Sequence, residues 1–322
     1  MTPSALHAHR FLGFSKGPRL LFLGSVHGNE TCGTRALERL VGELADGSVQ
    51  LARGSLTVVP VANPLAHARG TREGDRNLNR AMMPREEPRD FEDHVANVLC
   101  ALFAEHDVLV DFHSFHAPGE PFVLLGPSDN EGTVEPFAQA REEETLAAHL
   151  GPRRVVEGWM SAYTEGVRRR RGTGTDAEPA VLASEFAYGM GTTERMRASG
   201  GYAVTIECGQ HDDPAAPLVA YRAARQALAL LGLTRESPEP PAGPFEVLRL
   251  REVVDRAHAD DRFVRAWRSF DAVRAGDLVA HFADGRELRA PCDGRVVFPN
   301  PAAPPGTEWV YFAEASARNL GA

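Results

Sequence analysis

The feature that most constrains this chain is a tight junction near its start. An apolar run, Leu20-Leu21-Phe22-Leu23, gives way to Ser25-Val26-His27-Gly28-Asn29-Glu30, and Thr34 to Val41 then shows apolar residues at helical spacing. A short unbroken apolar run reads as a buried strand and the second pattern as an amphipathic helix. The six residues between them are therefore a strand-to-helix turn. Alternating strands and helices build largely parallel sheets, and such sheets bind ligands outside the carboxyl ends of their strands. His27 and Glu30, three residues apart in that turn, can converge on one cation, with Gly28 relaxing the backbone between them. Zinc accepts imidazole nitrogen and carboxylate oxygen, and a catalytic zinc takes three protein ligands and keeps a position for water. A capped helix start with an unrelated histidine fits the same residues, so the turn by itself leaves both readings open.

The chain beyond repeats the strand and helix alternation. Ser55 to Ala62 is rich in β-branched residues and ends at the turn signal Asn63-Pro64, which predicts a second strand. Ala66 to Arg89 is a long polar stretch holding Arg72, Asp75, Asn77, Asn79 and Arg80; such a loop inside a compact domain is functional or disordered. Phe91 to Glu105 is helical in period, and Asp107 to Phe112 is a strand with His113-Ser114 at its end. Pro121 to Gly126 predicts a further strand, Glu135 to Leu150 a helix, Tyr202 to Ile206 a strand ending at Glu207-Cys208-Gly209, and Leu218 to Leu231 a helix. Between Arg153 and Gly201 the pattern is weak. The basic run Arg168 to Arg171, continuing into Gly172-Thr173-Gly174, fits a solvated loop or an anion-attracting rim or lid.

A Pro-rich stretch, 237–244, divides the chain into an α/β unit, 1–236, and a β-rich unit, 245–322, in which short alternating segments separated by Gly and Pro turns suggest a small sandwich or barrel. The bulk numbers exclude several classes. A net charge of -9 over 322 residues argues against nucleic acid, whose phosphates need a basic surface. No apolar run reaches membrane-spanning length, and the N-terminus carries no apolar segment behind a basic start. The four cysteines, Cys32, Cys100, Cys208 and Cys292, are scattered without a CxxC pair, which fits reduced thiols and a cytoplasmic location.

Three strand ends thus present His27 with Glu30, His113, and Glu207. His113 is the candidate third ligand, and the coincidence at one sheet edge favours a metal centre over a structural histidine. In order and approximate spacing, His27-Gly28-Asn29-Glu30, Asn63-Pro64-Leu65-Ala66, Arg72, Asn77-Leu78-Asn79-Arg80, Asp111-Phe112-His113-Ser114 and Thr205-Ile206-Glu207-Cys208-Gly209 resemble the succinylglutamate desuccinylase/aspartoacylase family, from Leu20 to about His211. Ala290 to Asn300 resembles that family's C-terminal β-domain.

The resemblance implies a zinc carboxypeptidase-like fold, a mostly parallel or mixed sheet flanked by helices, with one zinc per chain on His27, Glu30 and His113. It implies Glu207 as general base, Arg72 as stabiliser of the oxyanion, and Asn79 with Arg80 as the grip on a substrate carboxylate. The implied activity is hydrolysis of the amide bond of an N-acyl amino acid; a peptide carboxypeptidase and a non-catalytic binding module on the same fold are the alternatives. The implied partner is a small-molecule substrate, with no nucleic acid and no membrane, and a homo-oligomer left open. Asn77 departs from the family's usual Asp, which stands behind the first zinc histidine. An amide orients an imidazole without lending it charge, and Asp75 or Asp111 are candidates to compensate. Cys208 is expected to be an apolar filler rather than a ligand, and Tyr163, Tyr188 and Tyr311 are candidates for the acyl pocket.

Overall fold

The structure is a computed structural model that describes residues 2–132, 135–171, 187–241 and 243–320. Its frame follows from apolar runs that must be covered on both faces. The first run becomes β2 (Arg19–Gly24), buried at every residue after Arg19. It lies between β3 (Ser55–Val59) and β4 (Val108–Phe115), parallel to both, and β4 is in turn parallel to β7 (Tyr202–Gln210). Side chains alternate across the sheet. Leu20 and Phe22 pack in one layer with residues of α1 (Cys32–Ala45) and of a C-terminal helix at Ala216–Leu230, whereas Leu21 and Leu23 pack in the other with α3 (Phe91–Glu105).

Among the described residues the main sheet has eleven strands. On one flank β1 (His9–Leu12) adds antiparallel to β3; on the other, β5 (Phe122–Leu124) is antiparallel to β7 and β6 (Arg154–Glu157) is parallel to β5. The sheet continues into the residues after 245. There β8 (Glu246–Asp255) pairs parallel with β6, and β14 (Glu308–Ala315), β13 (Gly294–Val297) and β10 (Ala272–Val273) follow antiparallel. A second sheet of β9 (Arg262–Phe263), β11 (Leu278–His281) and β12 (Glu287–Arg289) contributes Phe263, Ala280 and Leu288 to a small core around the fully buried Trp309.

Two expected elements differ in extent. The helix expected from Glu135 is α4 (Ala140–His149); Asp129 Oδ1 accepts a hydrogen bond from Ala140 N at 2.8 Å, which fixes its start. The stretch from Ala66 begins as a short helix, α2 (Pro64–Arg69), with Asn63 as its N-cap and Pro64 at its first position. The weakly patterned region contains β6, α5 (Trp159–Arg171) and α6 (Thr192–Ala198). Within the basic run, Arg169 pairs with Glu252 at 2.5 Å and Arg168 with Glu165 at 3.7 Å, while Gly172-Thr173-Gly174 lie outside the described residues.

Candidate metal centre and its cleft

The turn after β2 is held by its neighbours. A Cβ on Gly28 would lie 2.0 Å from the backbone carbon of Ala66, so the residue must be glycine because α2 packs directly on it. Its backbone φ is not among the positive ones, so close approach rather than a left-handed turn sets the requirement. Ser25 does adopt a positive φ, 46°, and its hydroxyl sits 3.2 Å from His67 Nδ1 and accepts from Thr34 Oγ1 at 2.9 Å.

Glu30 is the junction of the site and is 1% exposed. Its Oε1 lies 2.9 Å from His27 Nδ1 and 2.8 Å from an Arg72 guanidinium nitrogen. Its Oε2 lies 2.9 Å from His113 Nδ1 and accepts from Ser114 N at 3.1 Å. Of the far nitrogens, His27 Nε2 is hydrogen-bonded to Asn77 Oδ1 at 3.1 Å, while His113 Nε2 lies 2.9 Å from Asp111 Oδ2 without a hydrogen bond to it. Asp111 Oδ2 accepts a hydrogen bond from the Thr192 hydroxyl at 2.5 Å. The negative charge behind the histidines therefore stands behind His113. Asp75 faces elsewhere, accepting from Phe91 N and pairing with Arg69.

A metal fits this cluster on three grounds. The donor atoms of His27, Glu30 and His113 lie within 4.8 Å of one another. His27 Nδ1 is buried and, though 2.9 Å from Glu30 Oε1, has no hydrogen-bond partner. Imidazoles that bind metal are oriented through their other nitrogen by a carboxylate or amide; here Asn77 is hydrogen-bonded to His27, and the Asp111 carboxylate lies 2.9 Å from His113 Nε2. Burial, with Arg72 adding to it, brings His27 down to about 4 and so keeps it neutral, the form that binds metal. For His113 burial works in the same direction, but the carboxylates of Asp111 and Glu30 prevail and raise it.

Glu207 is the register partner of His113 across β4 and β7, so both project from the same face. It is 7% exposed, its Oε2 is without a hydrogen-bond partner, and it is not part of the metal-type group. Burial raises its carboxyl to about 8, with Glu30 adding to the effect and His113 and Arg72 opposing it. The next residue, Cys208, is buried in the core and donates to Ile206 O at 3.7 Å. A cleft of about 940 Å³ opens over these groups, a size that suits a small molecule.

The polar stretch that supplies Arg72, Asn77, Asn79 and Arg80 is fastened by two carboxylates in the first turn of α3. Glu92, fully buried, accepts from Asn63 Nδ2 at 2.9 Å and from the backbone N of Gly74, Asp75 and Arg76 at 3.1 to 3.2 Å. Asp93, also fully buried, binds Arg76, Arg85 and Arg89. Asn79 Oδ1 accepts from Thr192 N at 2.9 Å, which ties the stretch to α6. Arg80 is 7% exposed, with its guanidinium 4.5 Å from the ring centre of Tyr163 and 5.0 Å from that of Trp159.

Residues 16–118 match the sequence model described as the succinylglutamate desuccinylase/aspartoacylase catalytic domain. The succinylglutamate desuccinylase of Burkholderia lata is 28% identical over 299 residues, covering 89% of this chain and 76% of the relative. That of Pseudomonas aeruginosa is 25% identical over 305 residues, covering 88% and 80%. All of these matches point to the succinylglutamate desuccinylase/aspartoacylase family. Solved structures share the fold along nearly the whole length. The succinylglutamate desuccinylase/aspartoacylase of Rhodobacter sphaeroides superposes with a TM-score of 0.72 at 18% identity, covering 97% of this chain and 90% of that one. The product-bound ectoine utilization protein EutE (DoeB) of Ruegeria pomeroyi gives 0.71 at 20%, covering 95% and 88%.

The residues expected as metal ligands, base, oxyanion stabiliser and carboxylate grip meet at one cleft: His27, Glu30, His113, Arg72, Asn79, Arg80 and Glu207 line it, and so do Tyr163, Tyr188 and Tyr311. Trp159 and Glu308 line it too and were not anticipated. Trp159 opens α5, where the apolar pattern is weak. Glu308 lies 228 residues from Arg80 along the chain, and no local signal couples them.

Proposed function

We propose that the protein is a zinc-dependent hydrolase that cleaves the amide bond of an N-acyl amino acid or a related small carboxylate-bearing amide. The observation that carries this is the buried His27, Glu30 and His113 donor set with the Glu207 carboxylate, whose Oε2 has no hydrogen-bond partner, beside it in one cleft. Relatives named succinylglutamate desuccinylase support the substrate class. One zinc per chain, held by those three residues, would acidify a water and polarise the scissile carbonyl.

The chain's own residues supply the rest. Glu207 accepts the proton lost by water as the C–O bond forms, then returns it to the amine nitrogen as the C–N bond breaks. One proton of water thus reaches the amine nitrogen and the other stays on the new carboxyl group, so water and amide become a carboxylic acid and an amine, which at neutral pH ionise to carboxylate and ammonium. Arg72, anchored on Glu30 at 2.8 Å, places a guanidinium where negative charge develops on the carbonyl oxygen. Arg80 and Asn79 hold the substrate carboxylate, and Arg80 is pre-set for it by its stack on Tyr163. No described helix is long and apolar enough to cross a membrane, and a cytoplasmic site of action is proposed on the free cysteines.

The test is a set of deacylation assays on the zinc-loaded chain against N-acyl amino acids and short peptides, together with Glu207→Gln. Turnover of acyl amino acids should fall about 10²- to 10⁴-fold in the variant while zinc content stays stoichiometric. A wild-type chain that retains no zinc, or a Glu207→Gln chain with normal turnover, rejects the reading. Cleavage of peptides alone would make it a carboxypeptidase.

A further inference from the structure

The cleft holds an acidic side chain that neither the metal cluster nor the proton transfer uses. Glu308 begins β14 and lines the same cleft as Arg80 and Glu207. In a regular strand, residues three apart face opposite sides. Here the pairing of β14 with β8 shifts register between Glu308 and Val310. A bulge of this kind re-aims a side chain, and Glu308 and Tyr311 both face the cleft.

The charge balance gives that side chain a consequence. Among the described residues lining the cleft, the arginines are Arg72, Arg76, Arg80 and Arg197. Three are held closely by carboxylates of the protein. Arg72 is 2.8 Å from Glu30, Arg76 is 2.9 and 2.8 Å from Asp90 and Asp93, and Arg197 is 2.8 and 2.9 Å from Glu135 and Glu143. Arg80 faces Glu308 at 3.4 Å, a longer contact, with the Glu308 side chain 31% exposed. One guanidinium is therefore offered to one substrate carboxylate, and a bound carboxylate comes to lie beside Glu308. A second carboxylate on the substrate would meet like charge there, whereas an ammonium would be paired. Glu73 adds negative charge to the same cleft, which raises the local concentration of cations. The aromatic wall also accepts positive charge, since the Arg80 guanidinium already lies over Tyr163 and Trp159.

We propose that Glu308 selects substrates whose amino-acid part carries a side-chain ammonium: N-acyl derivatives of diamino acids such as ornithine or lysine, bound with the carboxylate on Arg80 and the ammonium on Glu308. This rests on the deacylase reading and narrows its substrate class. It disfavours acyl derivatives of aspartate and glutamate.

The test measures kcat/KM of the zinc-loaded full chain for Nα-acetylornithine, the uncharged Nα-acetylnorvaline and N-acetylaspartate, in wild type, Glu308→Gln and Glu308→Lys. Wild type should prefer the three in that order. Glu308→Gln should shrink the ornithine-to-norvaline ratio about ten- to hundredfold, the weight of a charge-assisted hydrogen bond, and mainly through KM. Glu308→Lys should raise the aspartate derivative relative to the other two. A wild-type preference for aspartate, or a ratio indifferent to Glu308→Gln, overturns the proposal. Calorimetric binding of free ornithine, norvaline and aspartate to the same proteins reads the selection without turnover. If no acyl amino acid is cleaved but ornithine binds best in a Glu308-dependent manner, the deacylase reading falls and the selection stands. Equal affinities for ornithine and aspartate overturn the selection whatever the turnover.

Discussion

His27 and His113 are backed unequally, and the difference lies in two side chains. His113 has the carboxylate of Asp111 at 2.9 Å behind its Nε2, whereas His27 has the amide of Asn77 at 3.1 Å. The Asn77 oxygen is also shared, accepting from Asn79 N at 2.9 Å. A carboxylate in its place would make the imidazole a stronger donor, so Asn77→Asp is expected to tighten zinc binding about tenfold, the lower end of what such partners contribute. Competition with a chelator of known affinity checks this, and weaker binding in the variant would show that the amide is needed to orient Asn79 instead. At this scale the sequence spoke clearly for His27, Glu30 and His113, because ligand chemistry needs particular residue types at strand ends. It spoke wrongly about Gly28, whose cause is a clash: Ala66 stands where its Cβ would be. Contacts with a helix 38 residues away along the chain leave no trace in local spacing.

Among the elements, the strands with unbroken apolar runs were legible, since a strand covered on both faces has no polar position to spare. β1 and β6 were not, being four residues each and partly polar. The fastening of the polar stretch by Glu92 and Asp93 was also hidden, because two acids at a helix start look the same whether they cap a dipole or gather a loop. The junction of α3 and β4 carries a pH dependence. His106 is 3% exposed; its Nδ1 donates to Leu102 O at 2.6 Å, which requires Nε2 to accept from the Thr57 hydroxyl at 2.8 Å. Burial lowers its pKa, with Arg10 and Arg19 adding to it against the Leu102 carbonyl. The unfolded chain therefore takes up the proton first as pH falls, at about 6.5. The stability due to neutral His106 is complete above that pH and is lost on acidification below it. Melting temperatures recorded between pH 8 and 5 should fall less steeply for His106→Gln than for wild type, although the variant starts lower. Parallel profiles would assign the acid sensitivity to other groups.

For the whole molecule, the sheet does not stop at the Pro-rich stretch. β8 continues it by pairing parallel with β6, and Phe115, Phe122 and Val156 share a core with Leu248, Leu250, Phe270 and Tyr311. A parallel pairing across 92 residues, such as Arg154 with Glu246, has no signature in local pattern, so the continuity was not legible although the change of texture after 245 was. We propose that residues 245–322 serve chiefly as a wall of the cleft, because Phe298, Asn300, Glu308 and Tyr311 all line it while every metal-type ligand lies before residue 114. A chain ending at 244 should keep the means to bind one zinc, since β2, β4 and the turn after β2 are braced by α1, α3 and β7. It should melt at a markedly lower temperature, because β6 becomes an open edge and the shared core is exposed. It should also lose discrimination among acyl amino acids, since Arg80 is left without Glu308 and the aromatic wall without Tyr311. The decisive measurement combines zinc content, thermal unfolding and relative kcat/KM across a panel of acyl amino acids. A truncated chain that binds zinc and keeps the wild-type order of preference would show that 245–322 is not the wall that selects the substrate.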